Sequence, residues 1–117
     1  MHHYPYPSYL RTHRKRWGLT QAEFGTLLGG LSASLISKYE TLARTPSVEA
    51  LIGCEFIFGE PARRLFPGLY ASVEAAVTLR AADFAEAIGA TDDTSARVKR
   101  ELLEAIAARA ASEASSI

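Results

Sequence analysis

Two short helices separated by a pair of glycines constrain the fold of this chain more than any other feature of its sequence. Thr20 and Glu23 form a capping box, in which the threonine hydroxyl accepts from the third amide of a helix and the glutamate bonds back to the cap. Gly29-Gly30 ends that helix, and Ser32 is a typical N-cap for a third helix over 33–40. Apolar residues recur three or four positions apart in both helices, which predicts that each buries one face.

Helix signals recur along the rest of the chain, whereas the period-two alternation typical of strands is absent. We therefore expect an all-α protein, in which a five-helix bundle is followed by two additional C-terminal helices. Ser8 is expected to cap the first helix, and Gly18 is expected to end it. The predicted parts are an irregular arm over 1–8, the bundle over 9–66, a helical extension over 69–111 and a frayed polar tail over 112–117.

A helix predicted over 48–58 is mostly apolar, so we expect it to be largely buried. Its Cys54, the single cysteine of the chain, is expected to be a buried small hydrophobe rather than a nucleophile. One cysteine provides neither a disulfide framework nor a multi-cysteine zinc site. His2, His3 and His13 lack the spacing of metal ligands. We expect no metal, no cofactor and no enzyme active site.

The charges of the chain sum to zero but are unevenly distributed. Residues 1–46 carry six basic and two acidic side chains, a balance of +4, and residues 47–117 carry seven basic and eleven acidic ones, a balance of −4. This distribution indicates either a localised anion-binding face in the N-terminal half or an uneven solvated surface. No apolar run approaches the roughly 18 residues that span a membrane, and the first residues lack the pattern of a secretory signal. We expect a cytoplasmic protein that does not contact a membrane.

Several short motifs between residues 10 and 47 occur together in one known family. They are Leu10-Arg11, Arg14-Lys15, Gly18-Leu19-Thr20-Gln21, Leu28-Gly29, Ile36-Ser37-Lys38-Tyr39-Glu40 and Arg44-Thr45-Pro46-Ser47. Over residues 10 to about 60 the chain resembles the Cro and phage-repressor family, also called the XRE family. The resemblance implies a compact five-helix bundle whose second and third helices form the unit that reads double-stranded DNA. Helices of such a unit cross closely and need small residues there, and Gly25 stands at that point.

The resemblance also implies roles for individual residues. Gln21, at the start of the second helix, is expected to contact a backbone phosphate. The base-reading positions fall on Ala33, Ser34 and Lys38. The complete candidate set is Thr20, Gln21, Ser32, Ala33, Ser34, Leu35, Ser37, Lys38, Thr41 and Arg44. Alanine and leucine contact thymine methyl groups but form no bidentate hydrogen bonds with bases, so we expect modest direct readout, supplemented by DNA shape. Leu35 has an alternative interpretation as a core residue.

Two further expectations follow from the same resemblance. The turn over 29–31 is one residue longer than in the family, which glycine accommodates because it adopts positive φ at little cost. The insertion leaves two registers for residues 33–35, one position apart, and we adopt the one that points Ile36 into the core. Arg14 and Glu40 match a pair that forms a partly buried salt bridge.

These observations predict a sequence-preferring DNA-binding transcriptional regulator, a repressor that acts as a homodimer on a pseudo-palindromic operator. The apolar stripe Val98, Leu102 and Ile106 of the last helix is the expected dimer or partner interface. Two alternatives remain open. One is an antitoxin-like autoregulator whose C-terminal helices bind a partner protein. The other is a protein-interaction module that has lost DNA binding.

Overall fold

A computed structural model of the protein describes residues 7–91 and 93–115, with side chains through Ser112. This part of the chain forms helices and no strand, which confirms the predicted all-α class with its five helices and two further ones. The helices are α1 (Leu10–Arg16), α2 (Gln21–Leu27), α3 (Ala33–Thr41), α4 (Val48–Phe58), α5 (Ala62–Leu65), α6 (Pro67–Ile88) and α7 (Thr94–Ser115). The chain divides into two compact units, one that ends at Tyr70 and one that begins at Ala71.

The capping signals place the starts of α2 and α3 where the sequence predicts them. Thr20 Oγ1 accepts from the Glu23 amide at 3.0 Å, and the Glu23 carboxylate accepts from the Thr20 amide at 2.8 Å. Ser32 Oγ accepts from the Leu35 amide at 3.1 Å. Each bond satisfies an amide that the first turn of a helix leaves without an intrahelical partner. Local polar chemistry therefore fixes the starts of both helices.

The turn between α2 and α3 depends on glycine. Gly29 and Gly30 have φ values of 114° and 85°, in the region that L side chains rarely adopt. The chain then folds back so closely that a Cβ at Gly25 would lie 2.0 Å from the carbonyl oxygen of Leu31. The Gly25 carbonyl in turn accepts from the amides of Gly30 and Leu31, at 3.0 and 2.9 Å. A side chain at Gly25 would separate α2 from this turn.

The first unit has one hydrophobic core to which all five of its short helices and the following residues contribute. Its largest fully buried side chains are Phe24, Phe66, Leu10, Ile36, Leu65 and Cys54. The complete burial of Ile36 agrees with the register adopted for α3. Burial also raises the pKa of the Cys54 thiol to about 12, so the neutral thiol predominates near neutral pH.

The predicted cap of α1 is wrong. Tyr9, not Ser8, is the N-cap residue. Ser8 is buried, and its hydroxyl donates to the main-chain carbonyl of Glu40 at 2.8 Å. The Ser8 hydroxyl, which the local sequence predicts to cap a helix, thus bonds instead to Glu40, 32 residues further along the chain. Residues 1–6 of the expected arm lie outside the described residues.

The expectation that α4 is largely buried is wrong for its outer side. Ala50 and Cys54 face the core, but Val48, Ile52 and Phe56 are 73 %, 59 % and 90 % exposed. An apolar composition on all sides of a helix predicts burial on all sides, whereas the bundle covers only one side of α4. The outer stripe has no cover within the first unit.

The second unit consists of most of α6 together with α7. Asp93 Oδ1 accepts from the Ala96 amide at 2.9 Å and so caps α7. This helix continues to Ser115, into the segment 112–117 for which a frayed tail is predicted. Among the described side chains of this unit only Ala96 is buried. No helix in the described ranges has the length and hydropathy that a membrane span requires.

Substituting alanine for two buried or half-buried glycines tests the close approach at the turn. Gly25→Ala places a methyl group against the main-chain oxygen of Leu31 and should lower the free energy of unfolding by about 2 kcal/mol or more. Gly53→Ala is the matched control, because its Cβ would meet only the flexible end of the Leu28 side chain, at 2.6 Å. There the gain in helix propensity, about 1 kcal/mol, offsets the crowding. Urea unfolding measures both, and equal losses would contradict this account of the turn.

Candidate nucleic-acid interface

Helix α3 has one buried and one exposed polar face. Ile36 and Tyr39 are buried in the core. On the opposite side, Ser34, Lys38 and Thr41 are exposed at spacings of four and three residues, which places them along one face of the helix. The helix therefore presents a narrow row made of two hydroxyls and one ammonium group. Ser34 and Lys38 can donate hydrogen bonds to a ligand, whereas the Thr41 hydroxyl already donates to the Ser37 carbonyl at 3.2 Å.

The residues that flank this row are less accessible. Ala33, Leu35 and Ser37 are half-buried. Leu35 packs against the hydrophobic core, as its alternative interpretation required. Ser32 is exposed, but its hydroxyl already caps α3. Fewer residues of α3 are accessible to a ligand than the candidate set contains.

The end of α3 brings Arg44 back towards Lys38. Leu42 has φ of 58° and is the one non-glycine residue with positive φ in the described chain. This conformation costs a residue with a Cβ about 1 kcal/mol or more, and the leucine side chain packs against the core. The reversal allows the Arg44 amide to donate to the Lys38 carbonyl at 3.2 Å. Arg44 itself is exposed, so a second cation follows directly after the polar row of α3.

Gln21 is not a simple solvent-exposed residue of the first turn of α2. Its side-chain amide donates to Glu40 Oε1 at 3.1 Å, and the residue is half-buried. A carboxamide nitrogen has two hydrogens, so one N–H remains for another acceptor. Nothing in the local sequence indicates this bond, because the two residues are 19 positions apart and lie on different helices.

Arg14 and Glu40 form the ion pair at the centre of this arrangement. Arg14 Nε lies 2.6 Å from Glu40 Oε2, and both side chains are at most 8 % exposed. The same guanidinium donates to the Leu19 carbonyl at 2.8 Å, just before the start of α2. With Gln21 on the other carboxylate oxygen, this network joins α1, the entry to α2 and the end of α3.

The exposed charged side chains of α1 to α3 and of the loop up to Pro46 are mainly positive. Up to Pro46, the exposed cations are Arg11, Lys15, Arg16, Lys38 and Arg44, and Glu23 is the one exposed acid among the described residues. The charges of Arg14 and Glu40 compensate each other in the interior. Such an excess of exposed cations favours an anionic ligand. No three potential metal-binding side chains lie together anywhere in the described ranges.

Removing either partner of the buried ion pair should be costly. Arg14→Met or Glu40→Leu leaves one charge buried without its counterion, and each should lower the free energy of unfolding by about 3 kcal/mol. The double variant leaves no such charge and should lose much less than the sum of the two losses. Urea unfolding of the four proteins measures the coupling. Additive losses would show that the two side chains do not interact.

Comparison with known proteins agrees with this geometry. A family model described as helix-turn-helix matches residues 10–62, which include α1 to α4 and the beginning of α5. Searches of curated proteins and of solved structures found no match. The matched family comprises DNA-binding transcriptional regulators. The predicted resemblance to the family of Cro and the phage repressors is therefore confirmed over residues 10–62.

Proposed function

We propose that this protein is a sequence-preferring transcriptional regulator, a repressor that occludes a promoter by binding a pseudo-palindromic operator as a cytoplasmic homodimer. One observation carries the proposal: the exposed row Ser34, Lys38 and Thr41 of α3 is followed directly by the exposed Arg44. Donors such as Ser34 and Lys38 on the second helix of a helix-turn-helix suit the major groove, whose base edges present acceptors. Repression is inferred from the family.

Different residues contribute to affinity and to sequence preference in this proposal. Lys38 reads a guanine or holds a phosphate, and Ser34 and Ser37 bond to bases or phosphates. Ala33 contacts a thymine methyl group, and half-buried Leu35 adds at most a partial apolar contact. The remaining candidates, Thr20, Gln21, Ser32, Thr41 and Arg44, act on the sugar-phosphate backbone. Few of these side chains discriminate between bases, so DNA shape supplies part of the preference.

Gln21 is the best-positioned of the proposed backbone contacts. Its bond to Glu40 restricts the amide before any ligand arrives, and its second N–H donates to a phosphate oxygen. A group that is already oriented loses less side-chain entropy on binding. Glu40 and Arg14 therefore support DNA binding through Gln21 without touching the duplex.

Selection of bound sequences from random duplexes tests these roles. Lys38→Ala should change the preferred site if Lys38 reads a base, at a cost of about 1–3 kcal/mol for that base. Gln21→Ala should weaken binding to all sequences about equally. Lys99→Ala removes the same charge from an exposed position of α7 and serves as the control. Equal enrichment of every sequence by the parent protein would exclude sequence preference.

Salt dependence separates DNA binding from the alternative of an interaction module that has lost it. The logarithm of affinity should fall with the logarithm of salt concentration, with a slope of about −0.9 per phosphate neutralised. The slope counts the phosphates that cationic side chains neutralise, so Arg44→Ala should reduce it, whereas Gln21→Ala removes no charge and should weaken binding without changing the slope.

The second unit supports the proposed homodimer. Val98 and Leu102 are 59 % and 58 % exposed, and Ile106 is half-buried one turn further along α7. On α6, Val73, Val77 and Phe84 are also exposed. The second unit thus leaves most of its apolar side chains exposed. Association of two copies through these helices is favourable, because it would remove this apolar surface from water.

Sedimentation at increasing concentration tests the dimer. The parent protein should sediment as a dimer, and Leu102→Gln should raise its dissociation constant about tenfold, since glutamine keeps the helix propensity but not the apolar contact. Ala107→Gln, at an exposed position beside the stripe on α7, should have little effect. A parent that remains monomeric at high concentration would contradict the dimer. The antitoxin-like alternative, in which these helices hold a partner protein, would then account better for the exposed stripe.

A further inference from the structure

Trp17, the single tryptophan of the chain, belongs neither to the hydrophobic core nor to the exposed row of α3. It directly follows the last residue of α1, and its side chain is 68 % exposed. Its indole N–H forms no hydrogen bond with another described residue. A large aromatic ring that is left in water together with an unused donor is typical of a residue that meets a ligand.

Backbone hydrogen bonds fix the turn that carries Trp17. Its amide donates to the Arg14 carbonyl at 3.2 Å, and the Leu19 amide donates to the same carbonyl at 3.1 Å. The Arg14 guanidinium also donates to the Leu19 carbonyl, at 2.8 Å. The buried ion pair therefore anchors this turn, which leads directly into α2.

The charges around Trp17 favour an anionic partner. Lys15 and Arg16 directly precede it, and both are exposed. No acidic residue occurs over 11–22, and the carboxylate of Glu23, the next acid along the chain, already bonds within the capping box of α2. Cations in the last turn also stabilise the end of α1 through its dipole, but that role does not require an exposed indole beside them. Ammonium, guanidinium and indole groups offer donors only, which suits phosphate oxygens.

The proposed phosphate contact of Gln21 brings DNA close to this turn. Gln21 follows Trp17 by four residues, so the two backbones are at most about 14 Å apart. That distance covers a few phosphates of one strand, whose charges succeed each other about every 3.4 Å along the helix axis. The bases of a duplex are stacked on one another, so an indole beside the groove meets sugar and phosphate instead of base faces.

We propose that Trp17 packs against the sugar-phosphate backbone beside the phosphate held by Gln21 and donates its indole N–H to a phosphate oxygen. The contact adds affinity for every sequence and does not discriminate between bases, because all nucleotides share the same backbone. This inference rests on the proposed DNA binding.

The emission of the single tryptophan reports directly on this contact. Titration with the selected duplex should shift the emission of Trp17 and lower its quenching by acrylamide, because the backbone then covers the indole. No other tryptophan contributes to the signal. The same titration with polyglutamate should leave the quenching unchanged. Equal protection by polyglutamate would indicate an acidic protein partner and overturn the DNA contact.

The affinity of a variant tests the indole N–H itself. Trp17→Phe keeps an aromatic ring but removes the donor, and it should weaken binding to every duplex about fivefold. The slope against salt should stay the same, because the indole carries no charge. Phe56→Leu changes another exposed aromatic residue, on α4, and serves as the control that should bind like the parent.

The outcomes separate this contact from the function on which it rests. If the parent binds no duplex, the proposed function fails, and the contact fails with it. If the parent binds but its tryptophan is quenched equally with and without DNA, or if Trp17→Phe binds as tightly as the parent, only the contact is overturned. A lower melting temperature of Trp17→Phe without DNA would show that the indole packs on the chain's own residues, which also overturns it. Protection by DNA together with weaker binding at unchanged melting supports it.

Discussion

The carboxylate of Glu40 joins three helices of the first unit. One oxygen receives the Arg14 guanidinium at 2.6 Å, and the other receives the Gln21 amide at 3.1 Å. The main-chain carbonyl of the same residue receives the Ser8 hydroxyl. Two charges taken out of water are tolerated only when their remaining donors and acceptors are satisfied, and here they are. Glu40 therefore ties α3 to both α1 and α2, in addition to the core that the three helices share.

Local signals in the sequence predicted the helices well. The capping box at Thr20, the cap at Ser32 and the paired glycines act over three or four residues, so the sequence displays them directly. Seven helices and the all-α class follow from such signals. Ser8 is the exception: serine is a good N-cap by propensity, yet its hydroxyl bonds to a residue 32 positions away. Tertiary partners override local preference, and no spacing rule identifies them.

The candidate site was predictable only where it depends on local signals and not on partners from other helices. The exposed row of α3 follows from helical periodicity once Ile36 is placed in the core. The bond between Gln21 and Glu40 does not follow, because it joins different helices. The exposed outer side of α4, formed by Val48, Ile52 and Phe56, was not predicted although its signal is present. Apolar residues on both sides of a helix are buried only if other elements of the bundle cover both sides. In the second unit, α7 and the part of α6 from Ala71 onward bury one described side chain, that of Ala96. The apolar residues of these helices therefore also predict more burial than that unit provides.

The paired glycines between α2 and α3 have a stereochemical consequence. Both have positive φ, and a Cβ at either position would meet nothing within 4 Å. The restriction there is therefore one of handedness and not of space. Amino acids of the opposite chirality favour positive φ, so D-alanine fits Gly29 and Gly30 where L-alanine is strained. It would also reduce the large backbone entropy that two successive glycines lose when the chain folds.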